Sequence, residues 1–277
     1  MGAIPIDPLA LTLIAVAGAC VGSFLNVVSL RLPRGESLIQ PPSHCPRCGS
    51  RLRWTENVPV LGWLLLRGRC GHCGAAIPIR YPLVECLSAL LWLAMPFARP
   101  GGMGEAPDPL LLVILGWILA SWLLPLALVD IDRMWLPEPL CRWGVVAGLV
   151  LTGLVGLQQE AATARALMLL HLVAATLGLV GFEAVGAQSQ RWLGRPALGL
   201  GDAKLAAMIG AWLGPTGLGL AVAVAVAAGA LVGMVARLGG LLGPRQPFPF
   251  GPFLAAGCLA VWIGGPAFWK GLFFPGL

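Results

Sequence analysis

Eight stretches of this 277-residue chain run with few charges: 9–30, 81–97, 109–129, 140–157, 165–185, 202–213, 217–236 and 250–268. Most approach the roughly 20 apolar residues that a helix needs to cross a bilayer, where only helices and closed barrels satisfy their own backbone groups. The runs are continuous, whereas barrel strands alternate apolar with polar residues, so the expected fold is an all-α polytopic membrane protein. Charged residues make up only 11% of the chain, against about 25% in a soluble domain. The run 202–213 is short, which leaves the expected count of about eight transmembrane helices open by one or two.

Charge placement predicts the orientation. No Lys or Arg precedes the first run, and Arg31 lies just beyond it, so the segment reads as a retained anchor and not a secretory signal. Segment 31–80 carries eight Arg against two acids, Glu36 and Glu56. The positive-inside rule puts that segment in the cytoplasm and the N-terminus outside. With eight spans, fifteen of the eighteen Lys and Arg fall inside, among them Arg133, Arg142, Arg191, Arg195, Lys204, Arg237 and Arg245. Arg99, Arg165 and Lys270 remain outside. The basic loop is read chiefly as topogenic, with attraction to anionic lipid headgroups second.

The same loop holds two C-x-x-C pairs, Cys45/Cys48 and Cys70/Cys73, each followed by Gly. Each pair can wrap a tight turn around one cation, and four thiolates complete a tetrahedral zinc site. Disulfides are rare in the reducing cytoplasm, which favours metal over cross-links. Four protein ligands leave no position for a catalytic water, so the expected zinc is structural, a staple for a loop with little core. Trp54 and Trp63, between the pairs, fit either the membrane surface or packing over the knuckle. His44 and His72 read as solvated neighbours, and Cys20, Cys86, Cys141 and Cys258 as small apolar packing residues. His171, inside a run, reads as a hydrogen-bonded bundle residue.

Asp130 and Asp132 end the third run, and Asp202 opens the sixth in "GLGDAK". On the expected topology all three lie at the cytoplasmic border, at one depth although 70 to 72 residues apart. Acids in such places are costly and usually functional. Two close carboxylates share one proton, so the ionised partner can activate a water while the protonated one polarises a peptide carbonyl. Gly199 and Gly201 would admit a substrate backbone closely. Each acid also has a bland explanation, as an N-cap at Asp202 or as a solvated helix exit at Asp130 and Asp132. Residues i and i+2 of a helix point apart, so spacing alone does not choose between Asp130 and Asp132.

The ordered motifs "GSFLNVVSLRLP" (22–33), the paired C-x-x-C loop, "WTENVPVLGWL" (54–64), "RYPLVE" (80–85), "DIDRMWLPEPL" (130–140), "GLGDAKLAAMIGAWLG" (199–214) and "PFGPFLA" (249–255) resemble the bacterial type IV prepilin peptidases. The resemblance implies an aspartyl endopeptidase of the inner membrane. Such an enzyme cuts the short basic leader of prepilins or pseudopilins on the cytoplasmic side, after a Gly and usually before Phe. It then methylates the new N-terminus from S-adenosylmethionine. It implies Asp130 and Asp202 as the catalytic pair, with Asp132, Gly199, Gly201 and Lys204 in support. Where the family commonly reads L-P-D, this chain has Glu138, which predicts shifted geometry with activity kept. The expected organisation is a first helix over 1–30, a zinc loop over 31–80 and a protease core over 81–277. Methyl transfer is expected in the loop and first span, with no individual residue assigned. The expected partners are the bilayer and the prepilin substrates, with no nucleic acid. A presenilin-like protease cutting transmembrane helices, and a transporter using Asp130 and Asp202 as a proton relay, are the rival readings.

Overall fold

The computed structural model describes residues 7–101, 103, 108–194, 198–241, 243 and 246–273; Arg195 and Arg245 of the charge count lie outside them. Nine α-helices are present among the described residues, with two isolated β-bridges, His44–Arg51 and Arg69–Ala76. The helices are α1 Pro8–Arg31, α2 Leu61–Leu65, α3 Arg80–Ala94, α4 Pro109–Arg133, α5 Glu138–Leu157, α6 Ala161–Leu193, α7 Leu200–Leu238, α8 Gly251–Gly264 and α9 Pro266–Phe273. The chain forms two compact units, Met1–Pro96 with Trp117–Pro125, and Phe97–Gly116 with Leu126–Leu277.

In the first unit, α1 starts where Asp7 accepts the Leu9 amide at 3.2 Å, with Pro8 filling a position that needs no donor. It then packs on α3 through Gly18 and Gly22, where an added Cβ would fall within 2.8 Å of Trp92 and 2.7 Å of Ser88. Small residues four apart let two apolar helices approach in this way. Trp92 stacks on Trp117 with ring centroids 4.9 Å apart and donates its indole N–H to Ser121.

In the second unit, α5, α6 and α7 pack through small residues, with Trp212 buried and donating to Gly144 O at 2.9 Å. His171 is fully buried, with Nδ1 3.0 Å from Ala211 O, the bundle histidine that the sequence predicts. Helix α7 is not straight. At about 1.5 Å per residue, a straight helix would put Gly229 about 40 Å from Asp202. The second leg nevertheless returns toward the first residues of the helix, since Val222 and Val226 line one cavity with Leu198. The Phe250 and Phe253 rings approach the Cβ position of Gly229 within 3.6 Å, while Gly251 binds Asp130, whose charge acts on Asp202. The chain reverses at Gly214, whose φ of 67° and ψ of −175° leave the helix just before Pro215.

Five helices, α1, α4, α5, α6 and α7, are long and apolar enough to cross a membrane, and the bent pair α8–α9 makes a sixth. The expected eight spans are therefore not confirmed. Helix α3 has 15 residues, about 22 Å, and stops short of a bilayer core. The runs 202–213 and 217–236 are the two legs of α7 on either side of Gly214, and the first, Leu200 to Leu213, is about 21 Å long, short of a bilayer core.

Candidate active site and cysteine cluster

Asp130 sits in the last turn of α4, which ends as Met134 takes a left-handed conformation at φ 49° and donates its amide to Asp130 O at 2.8 Å. Its carboxylate is 5% exposed. A carboxylate at a helix C-terminus meets the negative end of the backbone dipole, so it needs a donor from elsewhere. Gly251 supplies it, donating its amide to Asp130 Oδ2 at 2.9 Å from the first turn of α8, where the dipole is positive. An added Cβ on Gly251 would fall 2.7 Å from that same oxygen. Glycine is required there by contact.

Asp202 lies in the first turn of α7, and its Oδ2 accepts the Gly199 amide at 3.0 Å. The N-cap itself is Gly199, so Asp202 caps the helix from its third position, by reaching back to the N-cap amide, and not as the N-cap residue. Its carboxylate is half-buried and within electrostatic reach of Asp130. Leu136, buried in the connection after α4, packs 3.1 Å from the Cβ position of Gly201 and holds the two turns against each other. Asp132, by contrast, is exposed. Glu138 and Lys204 form an exposed ion pair at 3.0 Å, joining the start of α5 to the first turn of α7.

No local signal in the sequence names the donor to Asp130. "PFGPFLA" was visible as a motif, and a glycine opening a helix was the available signal, but the partner lies 121 residues away.

In the first unit the Sγ atoms of Cys45, Cys48, Cys70 and Cys73 all lie within 4.8 Å of one another, and Cys45 and Cys73 are 3.9 Å apart. A tetrahedral zinc with Zn–S of about 2.3 Å has S–S edges of about 3.8 Å, so the residues fit the ion. Both knuckles have one geometry: Gly49 donates to Cys45 O and Gly74 to Cys70 O, each at 2.9 Å. Hydrogen bonds from the Ser50 hydroxyl and amide pull the Cys48 thiol down to about 6. Cys73 goes the other way, to about 11, because the Ala75 amide's pull is outweighed by desolvation and the neighbouring thiols. Four sulfurs this close cannot all ionise without a cation between them. His44 is exposed and turned to Pro42 O at 2.9 Å, outside the cluster. Trp63 packs within the loop, donating to Ile77 O at 3.0 Å, whereas Trp54 is 83% exposed. Cys141 and Cys258 are buried as expected, while Cys20 and Cys86 are exposed on the helix surface.

Residues 16–98 match the family model described as Bacterial Peptidase A24 N-terminal domain, and residues 117–234 match that of the Type IV leader peptidase family. The chain is 41% identical over 239 residues to the prepilin leader peptidase/N-methyltransferase of Myxococcus xanthus (strain DK1622), covering 86% of this chain and 67% of that one. It is 35% identical over 282 residues to the type 4 prepilin-like proteins leader peptide-processing enzyme of Escherichia coli O78:H11, covering 91% and 94%. The prepilin leader peptidase/N-methyltransferase of Aeromonas hydrophila is 34% identical over 279 residues, covering 91% and 89%. No solved structure matches the chain. Two family models matched in order, and relatives this similar over 67–94% of their lengths, show that the chain belongs to the type IV leader peptidase family.

Proposed function

We propose that this protein is a membrane aspartyl endopeptidase of the bacterial inner membrane that removes the leader of prepilins or pseudopilins at the cytoplasmic face, then N-methylates the new N-terminus. One observation carries the reading: Asp130 closes α4 and Asp202 opens α7, and the packing of Leu136 on Gly201 together with the Glu138–Lys204 pair ties these two helix ends to each other. In the proposed mechanism the two carboxylates share one proton. One takes a proton from the attacking water while the other donates a hydrogen bond to the scissile carbonyl, and the proton then passes to the leaving amine. The Gly251 amide fixes one oxygen of Asp130 and leaves the other for the water. Gly199 and Gly201 offer little side-chain bulk to a substrate strand. Asp132 and the Glu138–Lys204 pair support the connection around the dyad without entering the chemistry. When bound, S-adenosylmethionine supplies an electrophilic methyl group. The four cysteines hold the zinc that orders the loop. The prepilin-processing names of the relatives favour this reading over a presenilin-like protease or a proton-coupled transporter.

The direct test incubates purified protein with a prepilin, with and without S-adenosylmethionine, and follows intact mass. Loss of the leader in both arms, with one added methyl group only when the donor is present, is the expected result. An unchanged mass in both arms refutes the reading.

Two substitutions test the supporting geometry. Gly251→Ala places a methyl group against Asp130 Oδ2 and displaces the amide. Losing a hydrogen bond to a charged group costs about 1.5–3 kcal/mol, so kcat for cleavage should fall roughly 10- to 100-fold with KM little changed. A kcat equal to wild type would show that the amide does not position Asp130. Lys204→Ala breaks an exposed pair worth about 0–1 kcal/mol, so cleavage should change less than about fivefold. A larger loss would assign Lys204 to the chemistry.

A further inference from the structure

Glu85, on α3, is a buried carboxylate that the peptidase reading does not use; it is 6% exposed. Its Oε2 accepts the Val60 amide at 2.7 Å, and the Ser23 hydroxyl also bonds it. Val60 holds that amide in place at a φ of 61°, a conformation that a β-branched residue adopts only at a cost. Outliers of this kind persist where surrounding structure enforces them, often at ligand sites. Among the described residues no Lys or Arg pairs with Glu85. A buried charge without a counter-ion is expensive. The carboxylate lines a cavity of about 540 Å³ whose lining also holds Glu56, the apolar or aromatic Trp63, Leu66 and Tyr81, and three cations, Arg31, Arg34 and Arg47, none of which pairs with Glu85. That volume lies within the range of small-ligand sites.

We propose that this cavity receives the α-ammonium end of the trimmed substrate, with Glu85 as the residue that binds the ammonium. The inference rests on the methylation reading above. Leader removal creates one new cation, an α-ammonium beside an apolar first side chain. Glu85 is the buried carboxylate of this cavity, hydrogen-bonded but without a counter-ion, and Trp63 and Tyr81 in the same lining suit the apolar side chain. Ser23 and the Val60 amide hold the carboxylate in orientation, so little ordering remains to be done on binding.

The test uses full-length protein in detergent and two labelled peptides that begin at the mature first residue. One carries the α-amino group, and the other has hydrogen in its place. Anisotropy should give wild type at least about tenfold tighter binding of the amino peptide, the worth of a charge-assisted hydrogen bond. In Glu85→Gln that ratio should fall to near one. Zinc content and the thermal transition report folding, and if the Gln variant does not fold, Glu85→Asp should give an intermediate ratio. Equal affinity of the two peptides for wild type, or a full wild-type ratio in a folded variant, overturns the proposal. A variant that loses S-adenosylmethionine binding while keeping the peptide ratio also overturns it, because Glu85 then serves the donor. No cleavage is needed in this assay, so failure of the leader-peptidase reading shows separately, in the prepilin digestion.

Discussion

Asp202→Asn and Asp130→Asn should each lower prepilin cleavage by at least about 1,000-fold, read as intact-mass turnover, while helical content and zinc content stay at wild-type levels. General acid–base groups contribute roughly 100- to 10,000-fold, and a dyad fails as a unit when either member cannot exchange a proton. Asparagine keeps the size of aspartate and its side-chain carbonyl still accepts the amides of Gly199 and Gly251, so the packing around each site survives. The double variant should be no slower than the worse single one, because one lost proton already stops the cycle. Asp132→Asn, altering an exposed carboxylate two residues from Asp130, should stay within about threefold of wild type. Wild-type cleavage from either dyad variant would end the peptidase reading, and a large loss at Asp132 would move the catalytic assignment along the D-x-D stretch.

How far the sequence carries a reader depends on which forces act locally. Apolar runs announce helices because the bilayer leaves the backbone no alternative, and α1, α4, α5 and α6 follow the expected runs within a few residues at most ends. Two C-x-x-C pairs announce a metal-sized cluster because ligand spacing is local chemistry. Counting spans was harder. The split between runs 202–213 and 217–236 coincides with the break at Gly214, but hydropathy does not say whether each leg crosses the membrane, and neither does it reveal that α3 is only 15 residues long. The long-range partners were invisible for the same reason: Gly251 to Asp130, Lys204 to Glu138 and Val60 to Glu85 are all set by tertiary packing. Helical spacing leaves Asp130 and Asp132 equivalent, the family resemblance favours Asp130, and burial separates them, 5% exposed against a surface position.

Replacing any one of Cys45, Cys48, Cys70 or Cys73 with Ser should release the zinc and disorder the loop, with the transmembrane helices left in place. Apparent binding of structural zinc is worth about 10–16 kcal/mol, as much as the whole stability of a typical domain. Apart from the half-buried Trp63 and the buried Cys45 and Cys70, the loop buries little that would hold it otherwise. Metal analysis of protein purified without chelator should find zinc stoichiometric with the chain, and each Ser variant should lose it. Limited proteolysis should then cut between residues 43 and 76 at least about tenfold faster, since cleavage tracks the population of the open form. His44→Ala and His72→Ala serve as controls that keep the metal, because four sulfurs already close the tetrahedron. A metal-free wild-type protein whose loop resists proteolysis would reject the staple. Loss of zinc from a histidine variant would instead redraw the ligand set.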